Sequence, residues 1–178
     1  MPLDNPAELN VLITEVEIRE RIDQLVGEIG ADFQNQDPVV VGLLTGSFIF
    51  LADLIRGFFR HNIRPEVDFM IVSSYKGVRS SGKVEVIQDI KIDIDGRSIL
   101  LVDDILDTGR TLSLVCNHLR SKGPTRLKTC VFLNKRDGRE VDFTADYVGF
   151  VIPDLFVVGY GLDLEGRFRE LPYVAEVR

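Results

Sequence analysis

Residues 99–112 read Ile-Leu-Leu-Val-Asp-Asp-Ile-Leu-Asp-Thr-Gly-Arg-Thr-Leu, and this stretch decides the fold. Its four leading aliphatic residues, Ile99 to Val102, predict a strand that is buried on both faces. The carboxylates of Asp103 and Asp104 are expected to end that strand. A short polar loop with one glycine follows, and the apolar spacing of a helix then begins. The stretch therefore predicts a strand, an anion-binding loop and a helix start, a unit of an α/β fold.

The loop after this strand suits a phosphate group. Asp107 to Thr111 supply backbone N–H groups and two hydroxyls at a helix N-terminus, where the helix dipole favours an anion. Gly109 allows the backbone to approach a ligand closely. The pair Asp103 and Asp104 cannot bind phosphate, so we expect it to bind the diol of a ribose or a hydrated Mg²⁺. Together these features predict a sugar-phosphate site, whereas either aspartate taken alone can equally be a cap of the following helix.

Another strand, turn and helix precede this stretch. Val39–Leu44 predicts a second strand buried on both faces, and Thr45-Gly46-Ser47 predicts a tight turn into an apolar helix over 48–59. Open α/β sheets bind ligands at the carboxyl ends of their strands, so this turn is a candidate site; a plain connecting turn is the alternative. Further upstream, Thr14 to Glu17 has the form of a capping box and predicts a helix over 15–33.

Composition narrows the classes of function. The 178 residues are 45% hydrophobic, which allows a single domain with a sizeable core. The formal net charge of −7 argues against a nucleic-acid partner, which would need a basic face. Apolar runs fall well short of the about 20 residues of a membrane span, so we predict no membrane partner and a cytoplasmic location. Cys116 and Cys130 are expected to be reduced and buried.

Two further segments carry charge where a ligand would bind. Residues 74–83 are rich in serine, glycine and cations; they predict a lid over an anionic substrate, with a solvated connection between strands as the alternative. Asn134-Lys135-Arg136 follows a buried strand predicted over 127–133. Cations at that strand end would lie beside an acidic site, and a surface ion pair is the alternative reading.

Two strings resemble a known family. Val102 to Thr111 is similar to the signature with which type I phosphoribosyltransferases bind phosphoribosyl pyrophosphate (PRPP), and Tyr147 to Asp163 is similar to the C-terminal signature of their hypoxanthine-guanine branch. The resemblance implies an α/β fold with a central, mostly parallel twisted sheet flanked by helices. It also implies a hood formed by the N-terminal segment and residues of about 152–178, and a flexible lid at 74–83. The implied activity is purine salvage: transfer of the 5-phosphoribosyl group from PRPP to hypoxanthine or guanine, with Mg²⁺ as cofactor.

The resemblance also implies roles for single residues. Asp107 is the implied catalytic base, which faces the purine. Lys135, Phe156 and Val157 are the implied purine-binding residues, and Ser74 and Tyr75 begin the lid. The residues implied to bind PRPP or the ribose phosphate are Asp103, Asp104, Thr108, Gly109, Arg110 and Thr111. Those implied to bind pyrophosphate are Leu44, Thr45, Gly46, Ser47 and Arg169, with a cis peptide between Leu44 and Thr45. Asp163 is implied to bind Mg²⁺, with Asp103 and Asp104 as further ligands through water or substrate.

The sequence is also compatible with other functions. Another base (xanthine, adenine or a pyrimidine) would make a different phosphoribosyltransferase, and a PRPP-sensing regulator that binds nucleic acid belongs to another class altogether. The sequence departs from the family at Thr45, where a basic residue is common, and at Asp103, where glutamate is usual. The family implies a homodimer or homotetramer, and the apolar helix over 48–59 is a candidate surface for it.

Overall fold

A computed structural model describes residues 9–34, 36–74 and 84–177 of the chain; for Ser74 and Val84 it describes the backbone alone. A 3-10 turn at Phe59–His61 follows the second helix. The elements are β1 (Leu9–Ile13), α1 (Glu15–Asp32), β2 (Val39–Leu44), α2 (Phe48–Phe58), β3 (Glu66–Ser74), β4 (Val84–Gln88), β5 (Ser98–Leu106), α3 (Arg110–Arg120), β6 (Arg126–Lys135), β7 (Tyr147–Ile152), β8 (Val157–Val158) and β9 (Val174–Val177).

The main sheet has six strands in the order β4-β3-β2-β5-β6-β7. β2 is parallel to both β3 and β5, and β6 is parallel to both β5 and β7, whereas β4 is antiparallel to β3. The predicted central, mostly parallel sheet is therefore confirmed. The direction of strand addition reverses between β2 and β5, so a crevice is expected beyond the carboxyl ends of these two strands.

Helices cover both faces of this sheet, which explains why its central strands are apolar without alternation. On β2, Val40 packs in the core formed with α1 and α2, while Val39 and Val41 pack in the core formed with α3. Every residue from Ile99 to Val102 on β5 is fully buried. The two strands predicted to be buried on both faces are confirmed.

α1 begins where the capping box predicts. Thr14 Oγ1 accepts a hydrogen bond from the Glu17 N–H at 3.3 Å, and Glu17 Oε2 accepts one from the Thr14 N–H at 2.8 Å. These bonds satisfy amides that the helix itself leaves unpaired. The apolar residues that predicted the helix face the core: Ile18, Ile22, Leu25, Val26 and Ile29.

Both ends of the described chain meet in a second, three-stranded antiparallel sheet with the order β1-β9-β8. Leu9 of β1 lies opposite Val177 of β9, and Val157 of β8 lies opposite Glu176. The Val177 N–H also donates to the Phe156 carbonyl at 3.0 Å. This small sheet therefore fixes the backbone of two predicted purine-binding residues.

Two strands are longer than the sequence predicts. β6 spans Arg126–Lys135 and not 127–133, so Lys135 lies within the strand and does not follow it. β5 continues to Leu106 rather than ending at Asp103, because its backbone stays paired with β6 as far as Leu106 opposite Asn134. Side-chain polarity suggested an earlier end, but a neighbouring strand that satisfies the backbone N–H and C=O groups decides where a strand stops. Asp103 and Asp104 therefore lie within β5.

Cys116 and Cys130 are free and buried, as predicted. Burial raises the pKa of the Cys116 thiol to about 11. Among the helices in the described ranges, none has the length and apolar character needed to cross a bilayer.

Candidate active site

A cavity of about 450 Å³ opens beyond the carboxyl ends of β2 and β5. Its size is that of a small-molecule site, and it lies at the reversal of strand order, where such sites form. Two predicted loops meet there, the turn after β2 and the loop between β5 and α3. The residues predicted for PRPP and catalysis that line it are Leu44, Thr45, Gly46, Asp103, Asp104, Asp107, Thr108, Gly109, Arg110 and Thr111.

The loop from Asp107 to Thr111 is held by the segment that follows β6. The Thr108 carbonyl accepts hydrogen bonds from the N–H groups of Glu140 and Val141, both at 3.0 Å. Gly109 has a φ of 85°, and a Cβ on it would lie 2.8 Å from the Val141 carbonyl oxygen, so glycine is required there. The first N–H groups of α3 have no acceptors within the helix. Their position and the helix dipole suit an anion such as phosphate.

The aspartate pair lines the same cavity. Asp103 is buried and Asp104 half-buried, and the Asp104 N–H donates to Asp103 Oδ1 at 3.0 Å. Burial raises the pKa of Asp103 well above its ordinary value, and the carboxylate of Asp104 raises it further. Burial also raises the pKa of Asp104, against the opposing charge of Arg169. Two carboxylates held together away from water favour a ligand that donates hydrogen bonds to them, as a vicinal diol does.

The turn after β2 packs directly on this pair. Its Leu44–Thr45 peptide is cis, as the family resemblance implied. A Cβ on Gly46 would lie 1.6 Å from Asp104 Oδ2, so a side chain at that position would have to displace the Asp104 carboxylate or the turn. The buried Ser47 hydroxyl donates to the Leu43 carbonyl. The turn is therefore closed by its own hydrogen bond and lies in contact with the acid pair.

Asp163 and Arg169 reach this turn from the C-terminal segment. Arg169 Nη2 lies 2.7 Å from Asp163 Oδ1, and the Gly166 N–H donates to Asp163 Oδ2 at 2.7 Å. Arg169 Nη1 donates to the Gly161 carbonyl. Gly161 is so close to the β2 turn that a Cβ on it would lie 2.3 Å from the Gly46 carbonyl oxygen. The ion pair is thus anchored beside the turn predicted to bind pyrophosphate.

Lys135 lies on the strand next to the acid pair. Because β5 and β6 are parallel and Leu106 pairs with Asn134, Asp107 and Lys135 follow at the same edge of the sheet. Lys135 is buried, and its Nζ donates to Asp154 Oδ1 at 3.1 Å. The chain thus brings a cation to the predicted purine side of the crevice.

Phe156 and Val157 follow β7 and have opposite exposures. The side chain of Val157 is buried in β8, whereas Phe156 is 54% exposed. An exposed aromatic ring offers a face on which a planar ligand can stack. Of the predicted lid residues, Ser74 ends β3 with its side chain outside the described residues, and Tyr75 lies outside them together with the rest of 75–83.

Comparison with known proteins gives the family. A family model described as phosphoribosyl transferase domain matches residues 13–165. A hypoxanthine-guanine phosphoribosyltransferase of Aquifex aeolicus is 51% identical over 168 residues, which is 93% of each chain. This chain belongs to the hypoxanthine-guanine phosphoribosyltransferase family. The family predicted from the two signature strings is confirmed, and its members are enzymes.

Other phosphoribosyltransferases agree with this membership. A hypoxanthine-guanine phosphoribosyltransferase of Bacillus subtilis is 41% identical, over 94% of this chain and 92% of its own. The crystal structure of a hypoxanthine-guanine phosphoribosyltransferase from Bacillus anthracis superposes with a TM-score of 0.87 at 41% identity, over 95% of this chain and 98% of that one. The α/β fold implied by the signatures is therefore confirmed.

Several residues at or beside the crevice were not predicted from the sequence. Asp154 pairs with Lys135, and Glu140 pairs with Arg110. Glu140 belongs to no local pattern, and Asp154 lies within the C-terminal string without an implied role, so each is found only through its partner in space. Gly161 had a usable signal, because the Gly-Tyr-Gly string at 159–161 indicates a turn with positive φ; the φ of Gly161 is 100°.

The acidic residues fit a magnesium ion that arrives with its substrate. Within the described part of the chain, no group of three or more His, Cys, Asp or Glu side chains can hold a metal by itself. Mg²⁺ commonly binds one or two carboxylates and completes its shell with water and substrate phosphates. Asp163 Oδ1 contacts Arg169 and Asp163 Oδ2 accepts a hydrogen bond from the Gly166 N–H, and a carboxylate group has further lone pairs with which to bind a metal. Such a donor set suits a shared site rather than a protein cage.

Proposed function

We propose that this chain transfers the 5-phosphoribosyl group of PRPP to hypoxanthine or guanine, giving the nucleoside monophosphate and pyrophosphate. The observation that carries the proposal is one crevice at which the acid pair, the phosphate loop and the β2 turn meet, with Lys135 on the adjoining strand. Family membership supports the same reaction. The proposed substrates are small molecules. The net charge of −7 argues against nucleic acid as a partner.

The proposed substrate position follows the order of the elements across the sheet. The loop of residues 107–111 binds the 5-phosphate, and the carboxylates of Asp103 and Asp104 accept hydrogen bonds from the ribose hydroxyls. Pyrophosphate lies against the turn of residues 44–47 and Arg169. The purine stacks on Phe156, with its edge at the Val157 backbone and at Lys135.

Mg²⁺ is the proposed cofactor, held by Asp163 together with water and substrate oxygens, and by Asp103 and Asp104 through water or the ribose. When bound, it neutralises the charge that develops on the leaving pyrophosphate. Arg169 adds a second positive charge from the protein beside the same turn.

Asp107 is the proposed general base. As the bond between the ribose carbon and the pyrophosphate oxygen breaks, a nitrogen of the purine five-membered ring forms the new bond to that carbon. This nitrogen must give up a proton, and we propose that Asp107 accepts it; the half-buried position of Asp107 in the crevice after β5 supports this role. Arg169 would therefore stabilise the negative charge of the leaving pyrophosphate on one side of the reacting carbon, while Asp107 takes the purine proton on the other side.

Asp107→Asn tests the base directly. We expect turnover to fall by about 10²–10⁴-fold while the KM for PRPP changes little, because asparagine keeps the shape but cannot accept the proton. Steady-state kinetics measured by purine absorbance would report both constants. Asp95→Asn in the exposed turn before β5 is the matched control. Wild-type turnover in Asp107→Asn would remove this residue from the reaction.

A panel of bases tests the function as a whole. Wild-type protein, PRPP and Mg²⁺ are combined with hypoxanthine, guanine, xanthine, adenine or a pyrimidine, and nucleotide formation is followed by absorbance. We expect products from hypoxanthine or guanine, because a lysine donor matches an oxygen at the purine six-position and not an amine. Product from adenine or a pyrimidine alone would overturn the proposed substrate.

The remaining proposals concern the whole chain. We propose one domain over residues 1–178, with the sheet of β1, β9 and β8 serving as a hood over the purine and residues 74–83 as a lid. A cytoplasmic location is also proposed, supported by the free, buried state of both cysteines.

A homodimer or homotetramer is the proposed assembly. The outer face of α2 and the turn after it carries apolar residues spaced at four, three and four residues: Phe48, Ala52, Ile55 and Phe59. Phe48 is 41% exposed and Phe59 is 85% exposed. Two large rings exposed on one helical face favour contact with another surface.

A further inference from the structure

Lys135 is held in the structure by a residue that has no role in the proposed function. The side chain of Lys135 is 11% exposed, and its Nζ donates to Asp154 Oδ1 at 3.1 Å. The side chain of Asp154 is 57% exposed, so this carboxylate lies at the rim and the ammonium lies inside. An ammonium that has left water needs a partner that holds it in place.

The path of the chain explains why Asp154 reaches Lys135. β6 and β7 are parallel, and Lys135 pairs with Ile152, so the segment after Ile152 passes the end of β6. A Cβ on Gly138 would lie 3.7 Å from Asp154 Oδ2, which places this carboxylate against the turn after β6 as well. Asp154 therefore joins the purine-side ends of two neighbouring strands.

The backbone of Lys135 is fixed independently of Asp154. Its carbonyl accepts a hydrogen bond from Arg139 Nη2 at 3.0 Å, and the same nitrogen donates to Asn134 Oδ1. Because the sheet and Arg139 hold the backbone of Lys135, its remaining conformational freedom is the direction of its flexible side chain. Asp154 Oδ1 removes it by accepting one of the three ammonium protons and leaving two for a ligand.

We propose that Asp154 is a positioning residue for purine recognition: it orients the Lys135 ammonium so that its free N–H groups meet an oxygen, and not an amine, at the six-position of the base. This inference rests on the proposed function. Asp154 acts through Lys135 and does not touch PRPP, so its effect belongs to purine binding and to the choice between bases.

Asp154→Asn is the central variant. We expect the KM for hypoxanthine to rise about 5- to 20-fold, the effect of losing one charge-assisted hydrogen bond at a partly exposed position. The KM for PRPP should stay within about twofold of wild type, because the PRPP residues lie on other loops. Asp154→Glu, which keeps the charge, should recover part of the loss.

The control is a second lysine–aspartate pair, in which the lysine also lies on β6 and the aspartate also lies next to an end of β7. Lys128 Nζ lies 2.7 Å from Asp146 Oδ1, at the end of β6 remote from the crevice. Asp146→Asn therefore removes an equivalent charge from the same strand pair. It should leave the KM for hypoxanthine unchanged, even if it lowers the thermal midpoint more than Asp154→Asn does.

A double-mutant cycle with Lys135→Ala separates a positioning role from a general one. Lys135→Ala alone should raise the KM for hypoxanthine, and adding Asp154→Asn to it should change that constant by less than about twofold, since Asp154 then has nothing to orient. An equal rise in both backgrounds, or no rise in Asp154→Asn beside a rise in Lys135→Ala, overturns the inference and leaves the function intact. Wild-type KM in Lys135→Ala overturns the purine role of Lys135 itself, and with it this inference.

Discussion

Gly46 and Asp104 share a space in which a single added carbon does not fit. A Cβ on Gly46 would meet Asp104 Oδ2 at 1.6 Å, and Gly46 O in turn excludes a side chain at Gly161. In this crevice the backbone at Gly46 and Gly161 is closely packed, and Gly46 is in contact with a carboxylate. The pair Asp103 and Asp104 is largely shielded from solvent. Residues in such a site are selected for binding a ligand and not for the stability of the empty protein.

Gly46→Ala is expected to raise the KM for PRPP by about tenfold or more, because the new methyl group must displace either the turn or the Asp104 carboxylate. The KM for hypoxanthine should change less. Gly27→Ala is the matched control: a Cβ there has nothing within 4 Å, and alanine favours the helix by about 0.5–1 kcal/mol. Equal KM values for PRPP in Gly46→Ala and wild type would contradict the packing.

Asp103→Asn is expected to stabilise the ligand-free protein. Burial and Asp104 raise the pKa of Asp103, so the stability linked to its protonation is present below about pH 4 and is lost as the pH rises through the raised pKa. Asparagine stays uncharged throughout. The thermal midpoint of the variant should therefore exceed that of wild type by a few degrees near pH 8 and by less near pH 4. A difference in thermal midpoint that becomes larger at acidic pH would contradict the raised pKa of Asp103. We also expect the variant to bind PRPP more weakly.

Strand ends and helix starts place these residues. β5 presents the acid pair because its pairing with β6 continues to Leu106, and the same register brings Asp107 and Lys135 to one edge. The prediction for β5 was right in position and wrong in length. The sequence shows the polarity of the side chains of Asp103 and Asp104, but it does not show which strand pairs with β5. α1 shows the converse case, because the capping box of Thr14 and Glu17 is wholly local and was predicted correctly.

Thr14→Ala is expected to lower the free energy of unfolding by about 1 kcal/mol, the usual worth of a helix N-cap, and the thermal midpoint by a few degrees. The reason is that the Glu17 N–H loses its acceptor. Thr14→Ser keeps the hydroxyl and serves as control. Activity per folded molecule should be unchanged in both variants, and a midpoint equal to wild type in Thr14→Ala would show that the cap contributes nothing.

At the scale of the whole molecule, the two sheets position different parts of the proposed site. The six-stranded sheet carries the crevice at the carboxyl ends of β2 and β5, and the three-stranded sheet fixes Phe156 and Val157 through contacts between the two ends of the described chain. No element binds all the proposed substrate groups alone. The outer apolar face of α2 is the surface that we propose for assembly.

Phe59→Glu is expected to shift the protein towards monomer, because it replaces the most exposed ring on that face with a charge. Sedimentation velocity over a range of protein concentrations would measure the shift. Ile87→Thr on β4 changes an exposed apolar residue elsewhere and should leave the assembly intact. A wild-type protein that stays monomeric throughout would contradict the proposed dimer or tetramer.

Local chemistry in the chain was sufficient to predict the buried strands, the capped helix, the loop between β5 and α3, and the family, because periodicity, caps and signature strings depend on residues close together in sequence. The cis peptide at Leu44–Thr45 followed from the family resemblance. The length of β5, the Lys135–Asp154 pair and the contact of Gly161 with Gly46 were decided by tertiary structure alone. Each of these depends on which strands and turns become neighbours, and that is settled by burial and backbone pairing over the whole chain.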